Sequence, residues 1–576
     1  MSWQCWQTWH NRNLEHTETV KHSHPNLTDV RTAIVGKMAR LDSTMNMVQV
    51  LALFVVVYLV ASPTLIASPL SDIFQSTVVP EIRIDITPQN ISNLWIHPRS
   101  FVPATVFIGT NRWLEVGVHL KGGSGSLSPL NKQPSLTLKF NKFLKSQTLG
   151  DFAKIHLNNS LQDSGLLSEF MAAEVFKASK VPTPRVDHGV VWLNDRLLGV
   201  YVATEGVDDR FLRRHFTRQE GNLYQGNAGQ DLGPQLTQTG GNRKDSTLAL
   251  LHTTLAMPRG APKESLLRER VDMPAFYSFM AAEILASHGD GYCLGPNNYR
   301  VYAQPANGPG TETSRIELIP HGADMAMGSA DAPVMPASGA SLAHSVLESP
   351  RMRAEYRTRL RELVYHHIKV EPIRRRVEEA SKRLQVALAK AAPERVEMIA
   401  TNAEAMVSLL RQRLKSAKEQ LPLHPKPIEP ERNATPGKRM YRVPPSCWKP
   451  YREFGQCEFG RTNSVDGAES LTVTARQPQF ANMGTWRAVV SMSPGSYGMR
   501  VEAVEVFSSQ HHQRDPARAW IQIGSGDRIE ATLRGPDTVS QLQTDITIVG
   551  RQETEITLGY RGLVGQVRFS VKLERR

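Results

Sequence analysis

Cysteine is scarce in this 576-residue chain, which carries four: Cys5, Cys293, Cys447 and Cys457. No two of them form a Cys-x-x-Cys pair, and none stands with histidines at the spacing of a zinc site. The composition therefore excludes a zinc-ligand motif. Cys447 and Cys457 are close enough in sequence for a disulfide if the chain is exported, and two neighbouring free thiols are the alternative.

The chain also lacks a basic run interleaved with aromatic residues, although its net charge is +13 and its pI about 9.5. Lysine and arginine are scattered, with a concentration between Arg351 and Lys418 that is typical of solvated helix faces. We therefore expect no nucleic-acid partner. No internal repeat is present, and a hydrophobic content of 40% excludes wholesale disorder. The length favours two or three domains.

One long apolar run lies near the N-terminus, from Val48 to Val60, and Pro63 follows it. Arg31, Lys37 and Arg40 precede the run, which is a signal-peptide pattern; an uncleaved membrane anchor is the alternative. Segment 46–69 is therefore predicted to direct export or to anchor the chain in a membrane. The polar segment 1–45 is predicted to be disordered or to precede the true start.

The first chemically informative stretch is a glycine-rich turn between two predicted strands, Trp113–Leu120 and Ser135–Phe140. Backbone N–H groups of such a turn can approach phosphates, and a lysine on the next strand can reach the same phosphates. The predicted nucleotide-binding residues here are Gly122, Gly123, Ser124, Gly125 and Lys139. A flexible hairpin loop is the simpler alternative.

A helix is predicted from Leu166 to Ser179, and its Glu174 or Glu169 is expected to pair with Lys139. A hairpin follows, and Glu205 comes just after its second strand, where a nucleotide-binding hinge would fall. The region after Tyr224, to about Lys263, is rich in Gly, Gln and Thr and is expected to be a loop or lid. A second predicted helix starts at Asp272.

Aspartate and asparagine residues at three places follow that helix in the order used by protein kinases. Asp290 is in the position of a catalytic aspartate that accepts the proton of the substrate hydroxyl. Asn297 or Asn298 would then hold a metal ion, and Asp324, after a further strand, would hold the metal against the triphosphate.

Several segments between about Ile82 and Leu421 resemble the CotH kinase family, named for the spore coat protein H. They are VGVHLKGGSGS, PSLTLKF, KIHLNNSLQDSGLLSEFMAAEVFKASKVPTPR, VWLNDRLLGVYVATEGVDDRFLRRHF, HGDGYCLGPNNYRVY and IELIPHGADMAMG. The resemblance implies an atypical, bilobal protein-kinase-like domain over 78–421, ATP with Mg²⁺ or Mn²⁺, and transfer to Ser or Thr of an envelope or coat protein. It makes Asp290 the catalytic residue and Lys139 the phosphate-reaching lysine, with Lys121 and Lys132 as weaker candidates.

The chain departs from that family at the last motif. Pro-His-Gly-Ala-Asp stands where the family often shows Pro-Trp-Asp-x-Asp, so Gly322 replaces one carboxylate. The alternative hypothesis is therefore a cell-envelope binding or adhesion protein that keeps an inactive kinase-like fold.

The remaining chain is predicted to be helical over 341–421, a Pro-rich linker over 422–445, and an all-β, jelly-roll-like sandwich over 446–576. The fold class expected for the whole chain is thus α+β followed by all-β. Exported modules of this size often bind carbohydrate, and a sugar partner is part of the alternative hypothesis. The aromatic residues Tyr497, Trp486 and Trp520 are read as core residues in preference to sugar platforms.

Overall fold

The computed structural model describes most of the chain after residue 72. The ranges are 73–123, 127–305, 314–425, 429–430, 439–442, 447–454, 457–463, 469–476, 482–492, 495–508, 518–524, 529–532, 539–548, 552–562 and 564–575. The predicted N-terminal extension and the apolar segment 46–69 lie outside these residues. Within the described ranges, no helix is both long and apolar enough to cross a membrane.

The first seven strands of the described chain form a closed barrel. The order of strands is β1-β2-β3-β4-β5-β7-β6, and all neighbours are antiparallel except β1 and β6. Side chains of β1 and β2 alternate between exposed or half-buried and buried, because successive residues of a strand point to opposite faces. The strands are β1 (Glu81–Asp85), β2 (Val102–Ile108), β3 (Asn111–Lys121), β4 (Ser135–Lys139), β5 (Lys154–Asn158), β6 (Val186–Leu193) and β7 (Arg196–Glu205).

Two helices accompany the barrel, α1 (Pro88–Ile96) and α2 (Ser168–Ala178). Helix α2 confirms the predicted helix between β5 and β6. Buried Asp163 accepts a hydrogen bond of 2.8 Å from the backbone N of Ser168, which satisfies one N–H group at the start of the helix. Eight of the eleven residues of α2 are buried, so the helix packs within the core instead of on its surface.

A second sheet follows, with strand order β11-β10-β8-β9. Region 224–263, expected to be a loop or lid, contains a strand, one complete helix and the first turn of a second helix. That expectation is corrected: Leu248 and Leu251 are buried, so apolar residues separated by three positions anchor the first of these helices in the core. The elements are α3 (Asp209–His215), β8 (Asn222–Gln225), β9 (Thr237–Gly240), α4 (Thr247–Leu255), α5 (Ala261–Arg270), α6 (Met273–Leu285), β10 (Tyr299–Pro305) and β11 (Ser314–Pro320).

Region 341–421 is helical, as predicted. It consists of α7 (Ser341–Glu348), α8 (Pro350–Glu362), a π-helical turn at Leu363–His367, α9 (Val370–Ala391) and α10 (Val396–Gln420). Apolar side chains of α2, α6 and α8–α10 share one core with those of the second sheet. This core lies beneath the segment that carries Asp290.

The C-terminal part is all-β and has a separate core. Residues of two sheets, with β14-β17-β22-β19-β20 forming one of them, share a hydrophobic cluster that includes Trp448 and Phe569. Tyr497 and Trp520 are 1% and 2% exposed, as expected of core residues, whereas the side chain of Trp486 lies outside the description. The strands are β14 (Trp448–Phe454), β15 (Cys457–Asn463), β16 (Glu469–Arg476), β17 (Asn482–Met492), β18 (Gly495–Ser508), β19 (Arg518–Ile523), β20 (Ile529–Thr532), β21 (Val539–Ile548), β22 (Gln552–Gly562) and β23 (Val564–Arg575).

The predicted linker 422–445 contributes to this all-β part. Its described residues include β12 (Glu429–Pro430) and β13 (Arg439–Arg442), and β13 pairs antiparallel with β23. Contacts also cross from the all-β part to the helices: Lys449 Nζ lies 3.7 Å from a carboxylate oxygen of Glu419. The disulfide between Cys447 and Cys457 stays a prediction, because the side chain of Cys457 is outside the description.

Arg413 of α10 is expected to be the most sensitive arginine of the helical region. It is fully buried, and its guanidinium donates to the carbonyl oxygens of Ile284, Ala330 and Ala332. Arg413→Met should lower the free energy of unfolding by about 2–4 kcal/mol, since it leaves buried carbonyl groups without donors. Arg411→Met, at an exposed position of the same helix, is the control and should change it by less than about 0.5 kcal/mol. Equal denaturant midpoints for the two variants would contradict this assignment.

Candidate active site

The loop that carries Asp290 is held from below by one buried carboxylate. Glu283, near the end of α6, accepts hydrogen bonds from the backbone N of Tyr292 at 2.8 Å and of Cys293 at 2.7 Å. Burial raises the pKa of Glu283 to about 7, and these hydrogen bonds act in the opposite direction. The shape of the loop therefore depends on hydrogen bonds between Glu283 and backbone groups nine and ten residues later in the sequence.

Asp290 is clamped by both predicted asparagines. The side-chain amide of Asn297 donates to Asp290 Oδ1 at 2.8 Å, and that of Asn298 donates to Asp290 Oδ2 at 2.8 Å. Asn298 Nδ2 also lies 2.9 Å from the Asp290 carbonyl oxygen. Because the amide nitrogen of Asn298 is used in this way, its Oδ1 is the atom left to meet a cation.

Gly322 lies directly against that oxygen. A Cβ built at Gly322 would be 2.8 Å from Asn298 Oδ1, and the φ of Gly322 is +57°, in the left-handed region. Asn298 itself has a φ of +49°. A carboxylate-bearing residue at 322 would therefore be strained, which gives a physical reason for the departure from the family pattern.

Asp324 is brought to the same place. Burial raises its pKa, Lys121 acts to lower it, and the Asp290 carboxylate acts to raise it further. Two carboxylates and the Asn298 amide oxygen thus face one region, which also contains a lysine. These are hard oxygen ligands of the kind that Mg²⁺ prefers.

The lysine of this region is Lys121, at the end of β3, and not Lys139. Lys121 Nζ donates to Asn158 Oδ1, and Asn158 Nδ2 donates to Glu169 Oε2 at 2.7 Å. Burial lowers the pKa of Lys121, whereas the charges of Glu169 and Asp324 act to raise it. Burial raises the pKa of Glu169 to about 7, and Asp324 acts in the same direction.

The expected pairing of Lys139 with Glu169 or Glu174 is corrected by the strand register. Lys121 pairs with Ser135, and Lys139 pairs with Gly117 at the other end of the ladder, which is about 13 Å away at 3.3 Å per residue. Glu174 is five residues from Glu169 on α2 and therefore points in another direction. It pairs with Lys177 at 2.9 Å and lies 3.9 Å from Arg376.

The other predicted nucleotide-binding residues have diverse environments. Glu205 is buried; burial acts to raise its pKa, but hydrogen bonds and charges of Arg214 and Arg185 prevail and lower it. Arg214 donates to both of its carboxylate oxygens, at 2.8 and 2.5 Å. Lys132 is exposed. Gly122 has a φ of +119°, whereas Ser124 and Gly125 lie outside the described residues.

Four basic residues that were not predicted face the same cleft. They are Lys154 and His156 on β5, Arg300 on β10, and His321 just after β11. The rings of His156 and His321 are 5.9 Å apart, and burial lowers the pKa of both well below that of an exposed histidine. For Arg300 the sequence did carry a signal: it stands two residues after Asn298, in a strand that is otherwise largely apolar.

A small cavity of about 20 Å³ lies behind these groups. It is lined from three directions by Glu169 and Phe176 of α2, Val186 and Thr204 of the barrel, and His321 beside Gly322.

A family model identifies the greater part of this region. The model described as CotH kinase protein matches residues 118–417, just over half of the chain, and includes Lys121, Glu169, Asp290 and Asp324. The chain belongs to the CotH kinase protein family. A search of curated proteins found no match.

Solved structures are similar to this CotH family member over shorter stretches. The enzymatically active domain of tailspike protein 4 from bacteriophage CBA120 is 13% identical, with a TM-score of 0.18; the match covers 23% of this chain and 20% of that one. TmCBM61 in complex with β-1,4-galactotriose is 11% identical (TM-score 0.17; 22% and 88% covered). The CBM22-1 xylan-binding domain of Xyn10C from Paenibacillus barcinonensis is 13% identical (TM-score 0.15; 23% and 86% covered).

Gly322→Ala should test the close approach between Gly322 and Asn298. We expect the free energy of unfolding to fall by about 1–2 kcal/mol, because an L-residue is strained at this φ and its Cβ meets Asn298 Oδ1. Gly289→Ala, where a Cβ would meet no atom within 4 Å, should change it by less than about 0.5 kcal/mol. Urea unfolding curves measure both; a Gly322→Ala variant as stable as the wild type would exclude the strain.

Glu283 should give the chain a measurable pH dependence of stability. Its folded pKa of about 7 lies above the ordinary value of 4.5, so between these pH values the folded state binds more protons than the unfolded state. The contribution of Glu283 to the free energy of unfolding should therefore fall as pH rises from 4.5 to 7, by about 1 kcal/mol per pH unit.

Glu283→Gln removes the titrating group, so the variant should show a shallower fall over this pH range than the wild type. Glu397→Gln, at an exposed position of α10, is the matched control and should reproduce the wild-type slope. Chemical denaturation at several pH values measures the difference, and parallel curves for Glu283→Gln and the wild type would refute it.

Proposed function

We propose that this protein is an ATP-dependent protein kinase with a bilobal, atypical kinase-like domain, which transfers the γ-phosphoryl group to Ser or Thr of an envelope or coat protein. The observation that carries the proposal is the convergence of Lys121, Glu169, Asp290, Asn298 and Asp324 on one cleft between the barrel and the second sheet. Membership in the CotH kinase family supports the reaction type.

Each group has a role that follows from its chemistry. Asp290 would orient the acceptor hydroxyl and take its proton, and the amides of Asn297 and Asn298 hold its carboxylate for that task. Lys121 would meet phosphate oxygens. Asn158 positions Lys121, since its amide oxygen accepts from the lysine while its amide nitrogen is held by Glu169.

Asn298 Oδ1 and Asp324 fit a magnesium ion, which keeps several waters and needs few protein ligands beside substrate phosphates. Within the described part of the chain, no group of three or more His, Cys, Asp or Glu residues forms a self-sufficient metal site. The ion, when bound with the nucleotide, would neutralise the triphosphate. Both Asn298 and Asp324 would then contact the ion only in the nucleotide complex.

Export or membrane anchoring by segment 46–69 completes the proposal and gives the acceptor its compartment. The alternative function, an adhesion protein with an inactive kinase-like fold and a carbohydrate-binding sandwich, is favoured by one observation. Gly322 leaves Asp324 as the single carboxylate of its motif.

The experiment is phosphoryl transfer from radiolabelled ATP to a Ser-rich peptide, with Mg²⁺ or Mn²⁺, combined with nucleotide-binding measurements. Asp290→Asn should reduce the transfer rate about 10²–10⁴-fold and leave ATP affinity nearly unchanged, because the carboxylate acts on the acceptor. Lys121→Met should weaken ATP binding at least about tenfold, as expected for a lost hydrogen bond to a charged group.

Lys390→Met is the matched control, since the same substitution at an exposed position of α9 should leave ATP affinity unchanged. Wild-type protein that binds ATP without transfer would favour the alternative function. Full transfer activity in Asp290→Asn would remove Asp290 from its proposed role, and a larger loss for Lys139→Met than for Lys121→Met would reverse the lysine assignment.

A further inference from the structure

Arg300 is the least compensated charge in the cleft. Its side chain is 4% exposed, its Nε has no hydrogen-bond partner, and no carboxylate of the described residues forms an ion pair with it. The guanidinium of an arginine keeps its charge in proteins. An unpaired buried cation is costly and is normally matched by an anion.

The fold places Arg300 next to the proposed metal ligands. It is the second residue of β10 and follows Asn298 by two residues in sequence. Arg300 pairs with Ile319 across β10 and β11, and His321 N donates to the Asn298 carbonyl oxygen at 3.1 Å. The guanidinium therefore lies beside His321, within the cleft.

A second cation reaches this place from the barrel. Lys154 Nζ donates to the carbonyl oxygen of Val207 at 3.1 Å, and its chain passes so close to Gly206 that a Cβ there would clash. Burial, and after it the charge of Arg300, lowers the pKa of Lys154 to about 7; Asp208 and Asp209 act to raise it. The two cations lie on opposite walls of the cleft and are held together without a shared counter-ion in the described residues.

We propose that Arg300 and Lys154 form an anion subsite that binds phosphate oxygens of a polyphosphate ligand at the end of the cleft beside Gly206 and Val207. The subsite is separate from Lys121, whose charge is already balanced by Glu169 and Asp324. Arg300 presents a planar fork that suits phosphate oxygens, and Lys154 adds a point charge. That these phosphates belong to a nucleotide rests on the proposed function; the anion subsite itself does not.

The geometry also suggests why the charge is tolerated. In the ligand-free chain Arg300 is a source of instability, which binding of an anion would relieve. The rings of His156 and His321, 5.9 Å apart in the same cleft, add no negative charge that would compete with the anion. Binding of phosphate and stabilisation of the fold should therefore be coupled through one side chain.

The test uses the full chain and three probes: tripolyphosphate, adenosine and ATP, each followed by calorimetry and thermal unfolding. Arg300→Met should weaken tripolyphosphate binding at least tenfold and leave adenosine binding unchanged. Arg300→Lys should retain part of the affinity, and Lys154→Met should lose part of it. Without ligand, Arg300→Met should unfold at a higher temperature than the wild type, because a buried unpaired charge is gone.

Arg315→Met is the matched control, an exposed arginine on the neighbouring strand, and should change neither affinity nor unfolding temperature. Absence of tripolyphosphate binding in the wild type, or wild-type affinity in Arg300→Met, overturns the subsite. Loss of adenosine binding with unchanged tripolyphosphate binding also overturns it and makes Arg300 a base-stacking residue. Tripolyphosphate binding through Arg300 without phosphoryl transfer from ATP leaves the subsite intact and rejects the kinase.

Discussion

Burial of charge in one cleft is the constraint on which the arrangement of this protein depends. Lys121, Lys154 and Arg300 face Glu169, Asp290 and Asp324 in surroundings where burial shifts the pKa of most of them. Buried charges are kept in place only by specific partners. Asn158 between Lys121 and Glu169, and Asn297 and Asn298 around Asp290, are such partners. The side-chain amides of these asparagines fix the positions of Lys121, Glu169 and Asp290 through hydrogen bonds.

The supports of these groups come from distant parts of the chain. Glu283 fixes the loop of Asp290 through two backbone N–H groups, and Arg413, about 130 residues later, ties the carbonyl oxygen of Ile284 to those of Ala330 and Ala332. The segment after Asp324 is thereby fastened to α10. Arg487 of the all-β part also donates to the Met335 carbonyl oxygen, at 2.8 Å. The segment that follows the proposed metal ligand is thus contacted by both C-terminal regions.

The periodicity of apolar residues predicted the helices and strands of this fold better than it predicted which residues pair between neighbouring strands. The strand around Trp113–Leu120, the helix around Leu166–Ser179 and the order of Asp290, Asn298 and Asp324 all follow from local patterns of apolar and polar residues. Lys139 was misplaced because alternation predicts which face a residue occupies but not which residue it meets across the ladder. The lid expected at 224–263 failed for a different reason, since Gly and Gln around 225–242 obscured the buried leucines of α4 that follow.

Arg300 shows the limit of such reasoning most clearly. In the sequence it is one arginine among many, in a strand whose other residues are mostly apolar, and a charged residue there is ordinarily read as facing solvent. Only the tertiary arrangement shows that solvent does not reach it and that Lys154 lies opposite. A second cation opposite the first increases the cost of burial, so packing alone does not account for the pair. A site that keeps two such groups close together in the free protein is organised for an anion before the anion arrives, and the folding free energy given up there is available to the binding step.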